Sequence, residues 1–233
     1  MTLTYRYPLI AREGWTWIAV AVVSALIVYL LYGPVSAPLW LLVLVLLFLF
    51  RDPARKVPAV PLGILSPVDG KVVAIDTVDD AYLDRQALRI RIRMGITSVY
   101  SAHSPLEGKV LQQWLGSPGR AAADAKDAAG TADGKSIRYA QWIQSDEQDD
   151  VVMVIETSPR SPRPRCYAQS GERIGQGQRC GFIRFGSQVD VLIPLESRVA
   201  VAVGDAVLAG SDIIATLVHA RHTAQTPMQT ATM

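Results

Sequence analysis

Between Trp15 and Tyr32 the chain runs for 18 residues without a charged side chain. A helix needs about 17–25 apolar residues to cross the hydrocarbon core of a bilayer, and this run meets that requirement. A second apolar run, Val35 to Phe50, follows Gly33-Pro34 and carries Pro38, whose ring restricts the first turn of any helix it joins. At 16 residues it suits either a full span or a dip into one leaflet. Residues 1–50 are therefore expected to form an N-terminal α-helical membrane hairpin. Arg6 and Arg12 precede the first run, Arg51, Arg55 and Lys56 follow the second, and the connection carries no charge. Positive flanks stay inside, so the expectation is a cell (inner) membrane protein whose soluble part faces the cytoplasm. A cleaved signal peptide is disfavoured, because the first run exceeds an h-region and no small-residue cleavage site precedes the second.

Beyond the hairpin, Pro53, Pro58 and Pro61 mark residues 51–61 as a linker. Residues 62–222 read as one domain. Its apolar runs at 71–75, 88–94, 151–155, 182–185, 189–193 and 213–218 are short, often β-branched, and bounded by Gly or Pro, which is the pattern of strands. The fold class expected is mostly β, a β-sandwich or barrel-sandwich-like catalytic domain behind the helical hairpin. Residues 116–134 are rich in Gly, Ala and Asp and read as a loop or insertion, and residues 223–233 as a polar disordered tail. A net charge of +2 with scattered Lys and Arg argues against nucleic acid as a partner. Cys166 and Cys180 lack metal-type spacing and read as reduced thiols, and no metal is expected.

The domain contains a quasi-repeat. Ser66-Pro-Val-Asp-Gly-Lys-Val72 and Ser104-Pro-Leu-Glu-Gly-Lys-Val110 agree at five of seven positions, each placing an acid-Gly turn before a strand. A further turn, Val203-Gly-Asp-Ala-Val207, resembles the hairpins of biotinyl and lipoyl carrier domains, but no lysine stands at its tip.

Gly186-Ser187, alone, is an ordinary turn dipeptide. In context, Arg184-Phe-Gly-Ser-Gln-Val-Asp-Val191 resembles the processing segment of short-form phosphatidylserine decarboxylases, with Gln188 the one difference. The same resemblance covers Glu13-Gly14, Phe50-Arg-Asp-Pro-x-Arg55 and Ser66 to Val72, in matching order. It implies a carboxy-lyase that converts phosphatidylserine to phosphatidylethanolamine. Its precursor would cut itself between Gly186 and Ser187, Ser187 becoming a covalent pyruvoyl group that forms a Schiff base with the substrate. Glycine leaves its carbonyl open to the next hydroxyl, and the pyruvoyl group serves as an electron sink. The fragments would persist as a heterodimer on the membrane, with phospholipid as substrate.

The resemblance also implies a triad of Ser187, His103 and Asp69, in which aspartate holds imidazole and imidazole activates the hydroxyl. Two features depart from the family pattern. Tyr100 stands where relatives carry a first histidine, and a phenol titrating near 10 is a poorer proton relay than imidazole. The segment 158–165 is rich in proline, which disfavours a strand, and Arg160, Arg163 and Arg165 within it are candidates, with Tyr100, for contacting the substrate. Two other readings stay open, an altered substrate and a noncatalytic membrane-tethered β-domain that retains the fold.

Overall fold

The computed structural model describes residues 2–4, 10–53, 55–95, 98–115, 137–158, 164–183 and 186–218. Residues 116–134, Arg160, Arg163 and the tail at 223–233 lie outside them.

The apolar N-terminal segment folds back on itself. After β1 (Thr2–Thr4), α1 takes the first charge-free run whole, Trp15–Tyr32, and α2 is Ala37–Leu49. Gly33 ends α1 at φ +64°, where glycine is favoured, and its N–H reaches Tyr29 O. Pro34 then starts a short 3-10 turn, Gly33–Ser36, that reverses the chain. Ala21 and Ala25 of α1 are buried against Val43 of α2, small side chains letting the helices approach. Toward the tip the hairpin is bare: Leu30 is 74% and Val35, in the turn, 71% exposed. At the base Ile10 bridges to Arg51, and the Ala11 N–H donates to Phe50 O at 2.9 Å. Gly14 lies so close that any Cβ there would collide with the Phe50 ring.

The remaining strands are β2 (Lys56–Pro58), β3 (Gly63–Leu65), β4 (Gly70–Asp80), β5 (Arg85–Arg93), β6 (Ser101–His103), β7 (Gly108–Leu115), β8 (Ile137–Gln144) and β9 (Asp150–Thr157). They continue with β10 (Arg165–Cys166), β11 (Arg173–Ile174), β12 (Arg179–Phe182), β13 (Gln188–Ile193), β14 (Arg198–Val199), β15 (Ala206–Val207) and β16 (Ile213–Thr216). The molecule is thus mostly β behind a helical hairpin. An eight-stranded sheet runs β11-β7-β8-β9-β13-β5-β4-β15, and two three-stranded sheets, β10-β12-β6 and β14-β16-β3, accompany it. Alternating residues such as Ile90, Ile92, Val189, Val191 and Ile143 turn inward to one core. Strand β2 lies within 51–61 and pairs with β1. Contrary to the expectation from its prolines, the segment 158–165 ends in strand: pairing resumes at Arg165, directly after Pro164, against Phe182.

The quasi-repeat is a symmetry of the fold. The Leu65 N–H donates to Pro105 O at 2.8 Å, and the His103 N–H to Pro67 O at 2.9 Å. Ser66 Oγ donates to Val68 O and Ser104 Oγ to Leu106 O, both at 2.7 Å. The pattern continues outward: Gly210 N–H to Ser66 O matches Gly177 N–H to Ser104 O, and Leu217 N–H to Leu62 O matches Ile183 N–H to Tyr100 O. Strands β3, β4, β5, β15 and β16 are therefore repeated by β6, β7, β8, β11 and β12 about a pseudo-two-fold axis. In each half the acid-Gly turn closes onto the end of the neighbouring strand. A Cβ on Gly70 would strike Arg93 O, and one on Gly108 would strike Gln144 O.

Candidate active site

Asp69, in the turn that enters β4, is 7% exposed. Its Oδ1 accepts the Ala209 N–H at 2.8 Å, while Oδ2 accepts Arg55 Nη2 at 2.6 Å and the Val99 N–H at 3.3 Å. The carboxylate therefore ties together the chain leaving the hairpin, the 209–210 turn and the segment leading into β6.

His103 ends β6 and is buried, directly opposite Arg179 of β12. Gly210, at φ +65°, packs against the ring, where a Cβ would come within 3.3 Å of His103 Cδ2. Asp69 and His103 thus share the Ala209-Gly210 turn. Burial pulls the imidazole down to about 4, Arg55 and Arg179 add to that, and Asp69 and the Ser101 backbone oppose it. Its Nδ1 is buried without a hydrogen-bond partner among the described residues.

Ser187 is fully buried, at the entry to β13, and its carbonyl accepts the Met94 N–H at 3.1 Å. Gly186 before it holds φ +76°. Strand β5 lies between β4 and β13, with Lys71, Arg93 and Gln188 in register. Asp69 and Ser187 accordingly flank the same end of β5, roughly 10 Å apart by two strand spacings.

Tyr100 is buried, edge-on to Phe182 at 6.2 Å between ring centroids, and its carbonyl takes the Ile183 N–H at 2.7 Å. Burial raises its phenol above 10. Of the three candidate arginines, Arg165 is in β10, on the far side of β12 from His103.

Sequence reasoning overlooked an ion cluster beneath His103. Arg179, 6% exposed at its side chain, meets Asp52 at 3.2 Å and Glu13 at 3.1 Å. Ser101 Oγ donates to Asp52 Oδ1 at 2.9 Å, and the Tyr167 hydroxyl donates to Glu13. Burial lifts Asp52 above the usual carboxylate range even with Arg179 and Ser101 beside it. Glu13 stands just before α1 and Asp52 just after α2, so both ends of the hairpin grip the register partner of His103. The signal for Glu13, Asp52 and Arg55 lay in the Glu13-Gly14 and Phe50-Arg-Asp-Pro-x-Arg55 motifs; Arg179 had none.

A buried serine after a left-handed glycine, a buried imidazole and a bound carboxylate are the groups a nucleophile-type site would use, in a β-protein that carries an apolar helical hairpin long enough to cross a membrane. The family model for phosphatidylserine decarboxylase matches residues 44–215. The phosphatidylserine decarboxylase proenzyme of Nitrosomonas europaea is 42% identical over 91% of this chain and 96% of its own length. That of Burkholderia ambifaria is 42% identical over 92% and 99%. No solved structure gives a significant match. The chain belongs to the phosphatidylserine decarboxylase family.

Proposed function

We propose that this chain is a carboxy-lyase that cuts itself at Gly186-Ser187, carries a pyruvoyl group on the new N-terminus and decarboxylates phosphatidylserine to phosphatidylethanolamine. The observation that carries the reading is Ser187, fully buried and preceded by glycine at φ +76°, at the same sheet end as Asp69. In maturation the Ser187 hydroxyl adds to the Gly186 carbonyl carbon, the peptide C–N bond breaks, and an ester replaces the amide. Loss of the Ser187 α-proton then expels the Gly186 carboxylate, and water converts the remaining dehydroalanine to a ketone and ammonia. His103, uncharged at neutral pH, is the base for these proton transfers, and Asp69 positions it by holding the Ala209-Gly210 turn that packs against the imidazole.

The residues fit the group that results, because Ser187 is enclosed and the Nδ1 of His103 is a buried polar atom with no bond committed elsewhere. When formed, the pyruvoyl ketone supplies an electron sink for loss of carbon dioxide. Tyr100 keeps its proton through neutral pH and so supplies a donor, in place of a histidine that would serve as donor or acceptor. The Phe182 ring and the apolar base of the hairpin exclude water from that side.

The hairpin anchors the protein with both ends on one face, by its positive flanks the cytoplasmic face of the inner membrane. At about 1.5 Å per residue α1 reaches about 27 Å and α2 about 20 Å, so the tip at Gly33-Pro34 stops near the far leaflet's surface.

Intact mass and gel filtration test the reading. The expected result is fragments 1–186 and 187–233 that elute together, the second with a blocked N-terminus. Ser187→Ala should give one uncut chain with no lyase activity. An uncut wild-type chain would defeat the proposal and favour a noncatalytic tethered domain.

A further inference from the structure

Charges on the outer face of the large sheet are matched across neighbouring strands. Arg89 bonds Asp76 through both Nε and Nη2, Arg91 bonds Asp190 with two contacts of 2.8 Å, and Arg138 lies 3.6 Å from Glu156. The row at the end of the sheet nearest Ser187 breaks this rule. There Lys71 of β4 stands directly opposite Arg93 of β5, both exposed, with Gln188 of β13 next in line and Glu156 of β9 beyond it, already beside Arg138. Among the described residues neither Lys71 nor Arg93 meets a carboxylate. Like charges directly opposite on adjacent strands destabilise a sheet.

The fold itself does not demand the clash, and the pseudo-two-fold provides the control. In the other half Lys109 occupies the place of Lys71, but its partner is Gln144, whose amide donates to Asp150 at 3.0 Å. The second cation is present only in the half that holds Asp69 and whose β5 pairs with β13, the strand that follows Ser187. Its placement suits a ligand of that site: Lys71 is two residues from Asp69, Arg93 precedes Met94, and Gln188 follows Ser187. Lys71, Arg93 and Gln188 face outward and Ser187 faces the core, so a ligand joins them around the strand ends, where all four lie and where long cationic side chains can reach.

We propose that Lys71 and Arg93 form an anion-binding pair that holds the phosphodiester of the substrate phospholipid beside Ser187. The inference rests on the decarboxylase reading, since it takes its ligand from it. In a serine head group only a short run of bonds separates the phosphate from the amine and carboxylate that must reach the reacting centre. A lysine point charge and a forked guanidinium on adjacent strands suit a phosphodiester's two free oxygens.

The test uses the full chain in uncharged detergent micelles at varied mole fractions of phosphatidylserine. Lys71→Gln and Arg93→Gln are expected to cleave normally, to keep kcat and to raise KM about tenfold each, the loss typical of one charge-assisted contact. Lys109→Gln, the symmetry control, keeps the wild-type KM. Soluble glycerophosphoserine should bind uncut Ser187→Ala protein, and adding either glutamine substitution should weaken that binding by the same factor. Unchanged KM in both variants overturns the proposal. So does a variant that keeps its KM but loses affinity for phosphatidylglycerol vesicles, because the pair would then face the bulk membrane. A wild-type chain that matures without lyase activity defeats the decarboxylase reading instead, and the glycerophosphoserine measurement still decides the pair.

Discussion

At neutral pH His103 is an uncharged base because the fold withholds water from it and sets two guanidinium groups nearby. In the unfolded chain a histidine titrates near 6.5, whereas here it titrates near 4. Between those values the unfolded chain holds a proton that the folded chain lacks. Stability is therefore full above about pH 6.5 and is lost as pH falls toward 4, by an amount on the order of 3 kcal/mol. Urea unfolding of Ser187→Ala protein at stepped pH should show this slope, and adding His103→Gln should flatten it. Equal slopes in the two proteins would mean that the imidazole is not buried uncharged. Asp52, whose pKa is raised, bends the curve the other way at lower pH, but it is common to both proteins and cancels in the difference. The proposed site residues Ser187, Asp69 and His103 were conspicuous in the sequence because each sits in a motif with a chemical rationale. Arg179 was not, since Gln178-Arg179-Cys180 carries no pattern and its importance comes from pairing with β6, far away along the chain.

The elements divide in the same way. Strands β5, β9 and β13 were readable from β-branched alternation closed off by turn residues. Strand β8 was not, because Ile137–Gln144 mixes Arg, Tyr, Gln and Trp and takes its place by pairing along its whole length with β9. Strand β4 continues past the apolar run to Asp80 because outward-facing Asp76 meets Arg89 on β5. The turns of the quasi-repeat invite a paired experiment. Gly70→Ala and Gly108→Ala each drive a Cβ into a backbone carbonyl, of Arg93 and Gln144 respectively, and each should destabilise by about 1–3 kcal/mol. Only Gly70→Ala should also slow self-cleavage, because it displaces Asp69; equal cleavage rates in the two variants would show that the Asp69 turn has no part in maturation.

For the whole molecule, the proposed cleavage at 186–187 would break the chain without removing a strand from the sheet. Strand β13 begins at the next residue and lies between β5 and β9, with Asp190 bound to Arg91. A C-terminal fragment would thus be held by ladders on both sides, which is why the two fragments should elute together. The quasi-repeat was visible in the sequence, but not that it organises two halves, because symmetry between hydrogen bonds is a property of the folded backbone.

In the proposed membrane-anchored enzyme, the grip of Glu13 and Asp52 on Arg179 leaves the strand of His103 no slack relative to the bilayer. A site fixed at one height above a lipid surface samples its substrate as a solute in two dimensions. The number that governs encounter is then the fraction of lipids bearing a serine head group, not the amount of lipid per volume. With the protein already inserted, diluting vesicles at constant phosphatidylserine fraction should leave the rate unchanged, whereas diluting phosphatidylserine with phosphatidylcholine at constant total lipid should lower it. A rate that follows bulk concentration would mean that the protein leaves the surface between turnovers.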